Sequence, residues 1–91
     1  QQIYDKNNLC GNRPNPFNAQ TTIEFSVAED GDVELSIYNI AGQKIETLVD
    51  RHLSAGEHRV NWSAEGYASG IYFYKLRTAN EVMTKRMSLL K

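Results

Sequence analysis

Sulfur-containing residues are scarce in this sequence, which has one cysteine and two methionines among its 91 residues. A single cysteine, Cys10, excludes a disulfide bond within the chain and leaves either a free thiol or an intermolecular link. A chain of this length buries roughly 60–70% of its unfolded surface, which is enough for one modest core. We therefore expect a single domain without an internal cross-link.

Long apolar runs and an excess of charge are also missing. No segment approaches the roughly 18 apolar residues of a membrane span, and no secretory signal opens the sequence. The net charge of −1 predicts no nucleic-acid partner. The charge is uneven, with a balance of −4 over residues 1–64 and +3 over residues 65–91. A mildly basic end of this kind is typical of a solvated strand face.

Helical periodicity is absent as well, although a helix over residues 41–53 stays open as an alternative. Apolar residues recur at every second position, and turn signals break the chain roughly every 8–12 residues, which predicts an all-β sandwich or barrel. The predicted strands are 22–28, 33–40, 44–49, 58–63, 71–76 and 82–91.

Several of these segments carry a more specific prediction. Strand 71–76 is apolar on both faces, which is typical of a central strand. Strand 82–91 has no clean register, so we expect a bulge or an edge position there. The short loop "NIAGQ" predicts a type I turn followed by a left-handed Gly42, whereas 50–57 is expected to be a longer connection.

Residues suited to catalysis or metal binding are few. His52 and His58 are the only histidines, neither lies beside a glycine-framed serine, and their spacing is not that of a zinc site. The acids of "EDGD" (29–32) could bind calcium weakly but lack the ligand ladder of a calcium-binding loop. We therefore expect no enzyme, no cofactor and no metal site.

The tyrosines suggest one binding function. Tyr38, Tyr67, Tyr72 and Tyr74 could stack on sugars if they lay exposed on a small sandwich. Alternatively, Tyr72 and Tyr74 fill one face of the central strand with their hydroxyls at its rim. A carbohydrate-binding or structural accessory module of a secreted glycan-degrading enzyme is therefore one candidate function, with a glycan as its partner.

A group of motifs suggests another function. "NRPNPFNAQTTIEF" (12–25), "VELSIYNIAGQKIETLV" (33–49), "LSAGEHRVNW" (53–62), "ASGIYFYKL" (68–76) and "KRMSLLK" (85–91) follow one another along the chain. Together they resemble the type A C-terminal sorting domain of the bacterial type IX secretion system, a family similar to the immunoglobulin-like domain of flagellar hook-capping proteins. The chain departs from the family at Arg13, where an aromatic is common, and at Ala19, where proline is common.

This resemblance implies a fold and a role. It implies an immunoglobulin- or fibronectin-III-like antiparallel β-sandwich of about seven strands over residues 9–91, after a linker (1–8) from an upstream cargo domain. The implied role is a non-catalytic signal that directs an exported cargo through the type IX translocon, across the outer membrane of a Gram-negative bacterium, to the cell surface or the medium. In some members a sortase-like peptidase removes the domain. The recognition residues that the resemblance implies are Gly70, Tyr72, Lys85, Met87, Leu89, Leu90 and Lys91.

The segment "PNPFN" (14–18) predicts a stiff entrance to the domain. Pro14 and Pro16 fix φ and bias the residues before them toward extended conformations. Phe17 is expected to plug one end of the core. Structural roles are also expected for Trp62 in the core and for Gly42 and Gly56 in the connections between strands.

Overall fold

The computed structural model describes residues 6–91, and within that range it contains seven β-strands and no helix. The strands are β1 (Asn8–Arg13), β2 (Gln20–Val27), β3 (Gly31–Tyr38), β4 (Lys44–Leu53), β5 (Gly56–Ser63), β6 (Gly70–Arg77) and β7 (Val82–Leu89). They form two antiparallel sheets with the orders β1-β2-β5 and β4-β3-β6-β7. The all-β sandwich is thus confirmed, and its two layers are consistent with the immunoglobulin-like fold. The described range offers no helix that could span a membrane.

The core lies between the two sheets and follows from the alternation of the sequence. Successive side chains of a strand point to opposite faces, so every second residue of a strand faces the core. The inward sets predicted for the first two alternating segments are confirmed, because they are all buried: Ile23, Phe25 and Val27 on β2, and Val33, Leu35 and Ile37 on β3. Each such side chain contributes about 1.5–3 kcal/mol to folding when it leaves water.

Strand β1 was not among the predicted strands. Its sequence, NLCGNR, has little apolar alternation, yet it pairs with β2 and buries Leu9 and Asn12. The register shifts between Leu9 and Gly11, so Cys10 bulges outward and stays exposed. Because β1 precedes the "PNPFN" segment, the expectation that this segment is the entrance to the domain is wrong.

Strand β4 is longer than predicted. It continues to Leu53, and only residues 54–55 separate it from β5. The longer connection expected over 50–57 and the helix considered over 41–53 are therefore both wrong. The register between β3 and β4 shifts at two points, which leaves Ile45 and Leu48 as extra residues in β4. These bulges explain the poor alternation of this segment in the sequence.

The last two strands, β6 and β7, are neighbours in the four-stranded sheet. β6 lies between β3 and β7, as its apolar sequence predicts, and β7 lies at the edge of its sheet. β7 pairs with β6 without a register shift, so the edge position is confirmed and a bulge is not observed. Lys85 shares the inward phase of Met83 and Met87 but stays exposed. An inward-pointing charge at an edge strand hinders pairing with another molecule.

The turn between β3 and β4 has the predicted glycine geometry. Gly42 has a φ of +83° and donates its N–H to the Asn39 carbonyl at 3.0 Å. The Asn39 side-chain oxygen accepts hydrogen bonds from the N–H groups of Ala41 and Gln43, both at 3.0 Å. The turn therefore depends on a left-handed residue that only glycine adopts without strain.

Replacing Gly42 with valine should lower the free energy of unfolding by about 1–3 kcal/mol, because a β-branched residue resists a positive φ. A Cβ at this position meets nothing within 4 Å, so the cost lies in the backbone alone. Gly31→Val is the matched control, since Gly31 also has open space around it and is not at a positive φ. Equal urea midpoints for the two variants would contradict the turn assignment.

Candidate recognition surface

Three segments that are distant in the sequence meet at one end of the sandwich. We call residues 14–18 the clip, residues 88–91 the terminal segment and residues 68–70 the corner loop. Phe17 donates its N–H to the Ser88 carbonyl at 3.0 Å, and its own carbonyl accepts from the Leu90 N–H at 2.8 Å. The Asn15 side-chain oxygen accepts from the Ser88 N–H at 3.1 Å. The clip thus forms a short parallel bridge along the outer edge of β7.

The corner loop holds the terminal segment from the other side. Ser69 accepts a hydrogen bond at its hydroxyl oxygen from the Lys91 N–H at 3.0 Å, and Gly70 pairs with Leu89. Tyr72, near the start of β6, donates its hydroxyl to the Ala68 carbonyl at 2.7 Å. A tyrosine at this place that bonds back to the upstream backbone is the tyrosine corner of immunoglobulin-like sandwiches. Tyr72 therefore fixes the loop that receives Lys91.

An aromatic cluster lies beneath these segments. Phe17 is 2% exposed, and its ring centroid lies 5.7 Å from that of Trp62. Trp62 also contacts Tyr67 and Tyr72, with centroids 5.7 and 5.8 Å away. The Trp62 indole N–H donates to Glu46 at 3.0 Å, and the Tyr67 hydroxyl donates to the same oxygen at 3.3 Å. Burial and the Glu46 carboxylate both raise the pKa of Tyr67, so its hydroxyl stays protonated as a donor.

A buried polar network fixes the start of the clip. Asn12 donates its amide to the Thr21 hydroxyl at 3.1 Å and to the Pro14 carbonyl at 3.2 Å. The Thr21 hydroxyl donates to the same carbonyl at 2.9 Å, and the Tyr74 hydroxyl donates to the Asn12 oxygen at 3.1 Å. Burial raises the pKa of Tyr74 to about 12, which keeps its proton in place. The clip is therefore joined to both sheets.

A family model described as "Secretion system C-terminal sorting domain" matches residues 13–89.

The chain belongs to the family of type IX secretion C-terminal sorting domains.

No curated protein and no solved structure matches the chain. The match starts at the residue before the clip and runs through the corner loop to the end of β7. Domains of this family are non-catalytic sorting signals, which implies contact with the type IX machinery and a cargo that is exported to the cell surface or the medium.

The recognition residues expected in this sorting domain fall into two groups by burial. Tyr72, Met87 and Leu89 are buried and belong to the core cluster. The other members are exposed: Gly70, Lys85, Leu90 and Lys91. A partner that meets the folded sorting domain can touch the exposed group directly, whereas the buried group acts through the fold. For the residues of β7 this division depends on the phase of the strand, which the sequence left unresolved.

The four tyrosines within residues 6–91 are all buried or half-buried. Tyr72 and Tyr74 fill the inner face of β6, as one of the two alternatives predicted. The Tyr74 hydroxyl does not lie at the rim, however, because it bonds to Asn12 in the interior. Tyr38 and Tyr67 are half-buried, and the Lys75 ammonium lies 4.6 Å above the centroid of the Tyr38 ring.

The histidines and the acidic turn have structural contacts. The His58 ring is half-buried and stacks on Phe25 with centroids 5.4 Å apart. His52 is exposed on β4 and lies 3.7 Å from the Asp32 carboxylate. Asp30 accepts the Ala55 N–H at 2.7 Å, which connects its turn to the one between β4 and β5. Residues 6–91 contain no group of three or more acidic, histidine or cysteine side chains placed to hold a metal ion.

Sequence reasoning missed the residues that hold the terminal segment. Asn15 was expected only to be extended, and Ser69 and Asn12 carried no expected role at all. Their partners lie far along the chain, and Asn15 and Ser88 are 73 positions apart. The only indication in the sequence was the position of Asn15 between two prolines. This position indicates a rigid backbone but does not indicate which residue Asn15 bonds to.

Proposed function

We propose that this sorting domain directs a multidomain cargo protein through the type IX translocon and the outer membrane of a Gram-negative bacterium. The cargo would reach the cell surface or the medium, and the domain itself would catalyse nothing. The observation that carries the proposal is the exposure of Leu90 and Lys91 in the terminal segment, which the clip and the corner loop hold in place. Leu90 is 57% exposed although it is a large apolar residue, and Lys91 is exposed beside it.

An exposed leucine next to a lysine suits a protein partner with an apolar pocket and a nearby acid. The backbone N–H groups of both residues are already bonded to the domain, Leu90 to Phe17 and Lys91 to Ser69. A partner would therefore bind a segment that is largely ordered, which reduces the entropic cost of binding. The buried residues Tyr72, Met87 and Leu89 would support this surface from below.

The linker to the cargo would end just before Asn7, which is the first residue of the described range that is bonded to the rest of the domain. The Asn7 side-chain oxygen accepts the Ala28 N–H at 2.9 Å, and its amide donates to Glu81 at 2.9 Å and to Thr78 at 3.2 Å. Asn8 already pairs with Ser26 in the sheet. The linker expected over 1–8 thus has its last two residues in the fold, and residues 1–5 lie outside the described range. A sortase-like peptidase, if it removes this domain, would cut before Asn7, because Asn7 is bonded to Ala28, Thr78 and Glu81 of the folded domain.

The test is an export assay in a host that has type IX secretion. The exported protein is a fluorescent reporter that carries a general export signal and ends in residues 1–91. We compare the intact fusion with the double variant Leu90→Ala and Lys91→Ala, which keeps the backbone hydrogen bonds of the terminal segment. Losing the burial of one leucine costs about 1.5–3 kcal/mol, which is roughly a tenfold or greater loss of affinity. Export of the double variant should fall accordingly, while the domain stays folded.

Ile40→Ala is the matched control, because Ile40 is 74% exposed but lies in the turn after β3. Its export should equal that of the intact fusion. If the intact fusion stays in the periplasm with a folded domain, the sorting proposal fails for this chain. Titration with glycans would then test the alternative of an accessory module on a glycan-degrading enzyme.

A further inference from the structure

The outer edge of β7 is the place where the terminal segment needs support. β7 is an edge strand, so on one side its backbone groups have no neighbouring strand. At the end of β7 three of these groups are nevertheless bonded, namely the Ser88 N–H, the Ser88 carbonyl and the Leu90 N–H. All three bonds go to two clip residues, Asn15 and Phe17.

The clip that makes these bonds is itself fixed at both ends. Its first residue, Pro14, accepts hydrogen bonds from Asn12 and Thr21. Directly after the clip, the Ala19 carbonyl accepts the Ala64 N–H at 2.8 Å. Between these points Pro14 and Pro16 restrict φ, and the Phe17 ring is buried. The clip is therefore a rigid support and not a loop that happens to lie nearby.

We infer that the clip is a positioning element of the sorting signal, in which Asn15 and Phe17 hold Ser88 to Leu90 so that Leu90 and Lys91 face the partner in one orientation. This inference rests on the proposed function. Asn15 does not contact the partner and acts through the Ser88 backbone. Because the clip lies between β1 and β2, loss of this part of the chain would remove the bonds from Asn15 and Phe17 to the terminal segment. The Ser69 hydrogen bond to Lys91 and the pairing of Gly70 with Leu89 would be the supports that remain.

Asn15→Ala tests the inference, because Asn15 is exposed and its replacement removes one acceptor without opening the core. Amide hydrogen exchange at Ser88 and Leu90 should become about fivefold faster, which corresponds to ~1 kcal/mol for one lost hydrogen bond. Export of the reporter fusion should fall severalfold. Asn15→Asp retains the acceptor oxygen and should restore both readouts, whereas Asn15→Gln displaces the acceptor and should not.

Asn18→Ala is the matched control, since Asn18 is an exposed asparagine of the same clip. It should leave the exchange rates and export unchanged. Faster exchange at Ser88 and Leu90 together with full export of Asn15→Ala would overturn the positioning role while the proposed function stands. Equal losses of export for Asn18→Ala and Asn15→Ala would overturn it too, because the effect would not pass through Ser88. Failure of the intact fusion would instead reject the proposed function.

Discussion

Phe17→Ala is expected to lower the free energy of unfolding of this domain by about 3–5 kcal/mol. Phe17 is 2% exposed and contacts Trp62, so the substitution leaves a cavity at one end of the core. A domain of this size has about 5–14 kcal/mol of stability in total, so the loss is a large fraction of it. Because Phe17 also bonds to Ser88 and Leu90 through its backbone, the terminal segment should loosen with it.

Urea denaturation followed by circular dichroism measures this effect. Ile40→Ala is again the control, since Ile40 is exposed in a turn, and its change should stay within about 0.5 kcal/mol. A loss below ~1 kcal/mol for Phe17→Ala would mean that the clip is not packed on the core in solution. The assignment of the clip as a support for β7 would then lose its basis.

Trp62→Ala should be at least as costly, at about 3–5 kcal/mol. Trp62 is the residue that joins the aromatic cluster, because it contacts Phe17, Tyr67 and Tyr72. It also donates its indole N–H to Glu46. Its removal opens the core beneath the clip and the corner loop together, so the loss is a large fraction of the total stability.

Trp62→Phe serves as the graded variant. It keeps a ring against Phe17 and loses the indole donor, which costs about 1 kcal/mol plus a smaller packing loss. Tyr67 still donates to Glu46 in this variant, so the carboxylate keeps a partner. Trp62 is the only tryptophan, so unfolding must be followed by circular dichroism and not by tryptophan fluorescence.

A double-mutant cycle of Phe17→Ala and Trp62→Ala should show coupling of about 0.5–3 kcal/mol. Additive losses would contradict a shared cluster.

The strands with clear alternation could be predicted from the sequence alone. β2 and β3 are buried on the faces that their alternating apolar residues indicate, because successive side chains point to opposite faces and only one face meets the core. β5 buries Trp62 and leaves His58 and Val60 half-buried on the same face. β6, which is apolar on both faces, buries Tyr72, Tyr74 and Leu76 and leaves Ile71 and Phe73 half-buried. Gly42 could also be located, since a short loop that ends in glycine has few backbone solutions. These predictions succeed because local geometry and the pattern of burial agree.

The predictions that failed share one physical cause. Each depended on the pairing of strands, and strand pairing joins residues that are distant in the sequence. β1 lacks an apolar pattern and is a strand because β2 offers it an edge. The second half of β4 is polar and exposed on much of its length, yet the β3 backbone holds it in the sheet. Lys85 obscured the register of β7, although an exposed charge at a sheet edge can occupy an inward position.

The sequence by itself determined the class of fold, the core-facing residues of the alternating strands and the family resemblance that gives the domain its sorting role. Each of these depends on neighbouring residues or on ordered motifs. Tertiary structure alone decided which of the expected recognition residues are exposed, because Leu89 and Leu90 are adjacent and only the phase of β7 buries one and exposes the other. It also decided that the clip meets the terminal segment, since the hydrogen bond between Asn15 and Ser88 joins residues 73 positions apart that only the folded chain brings together.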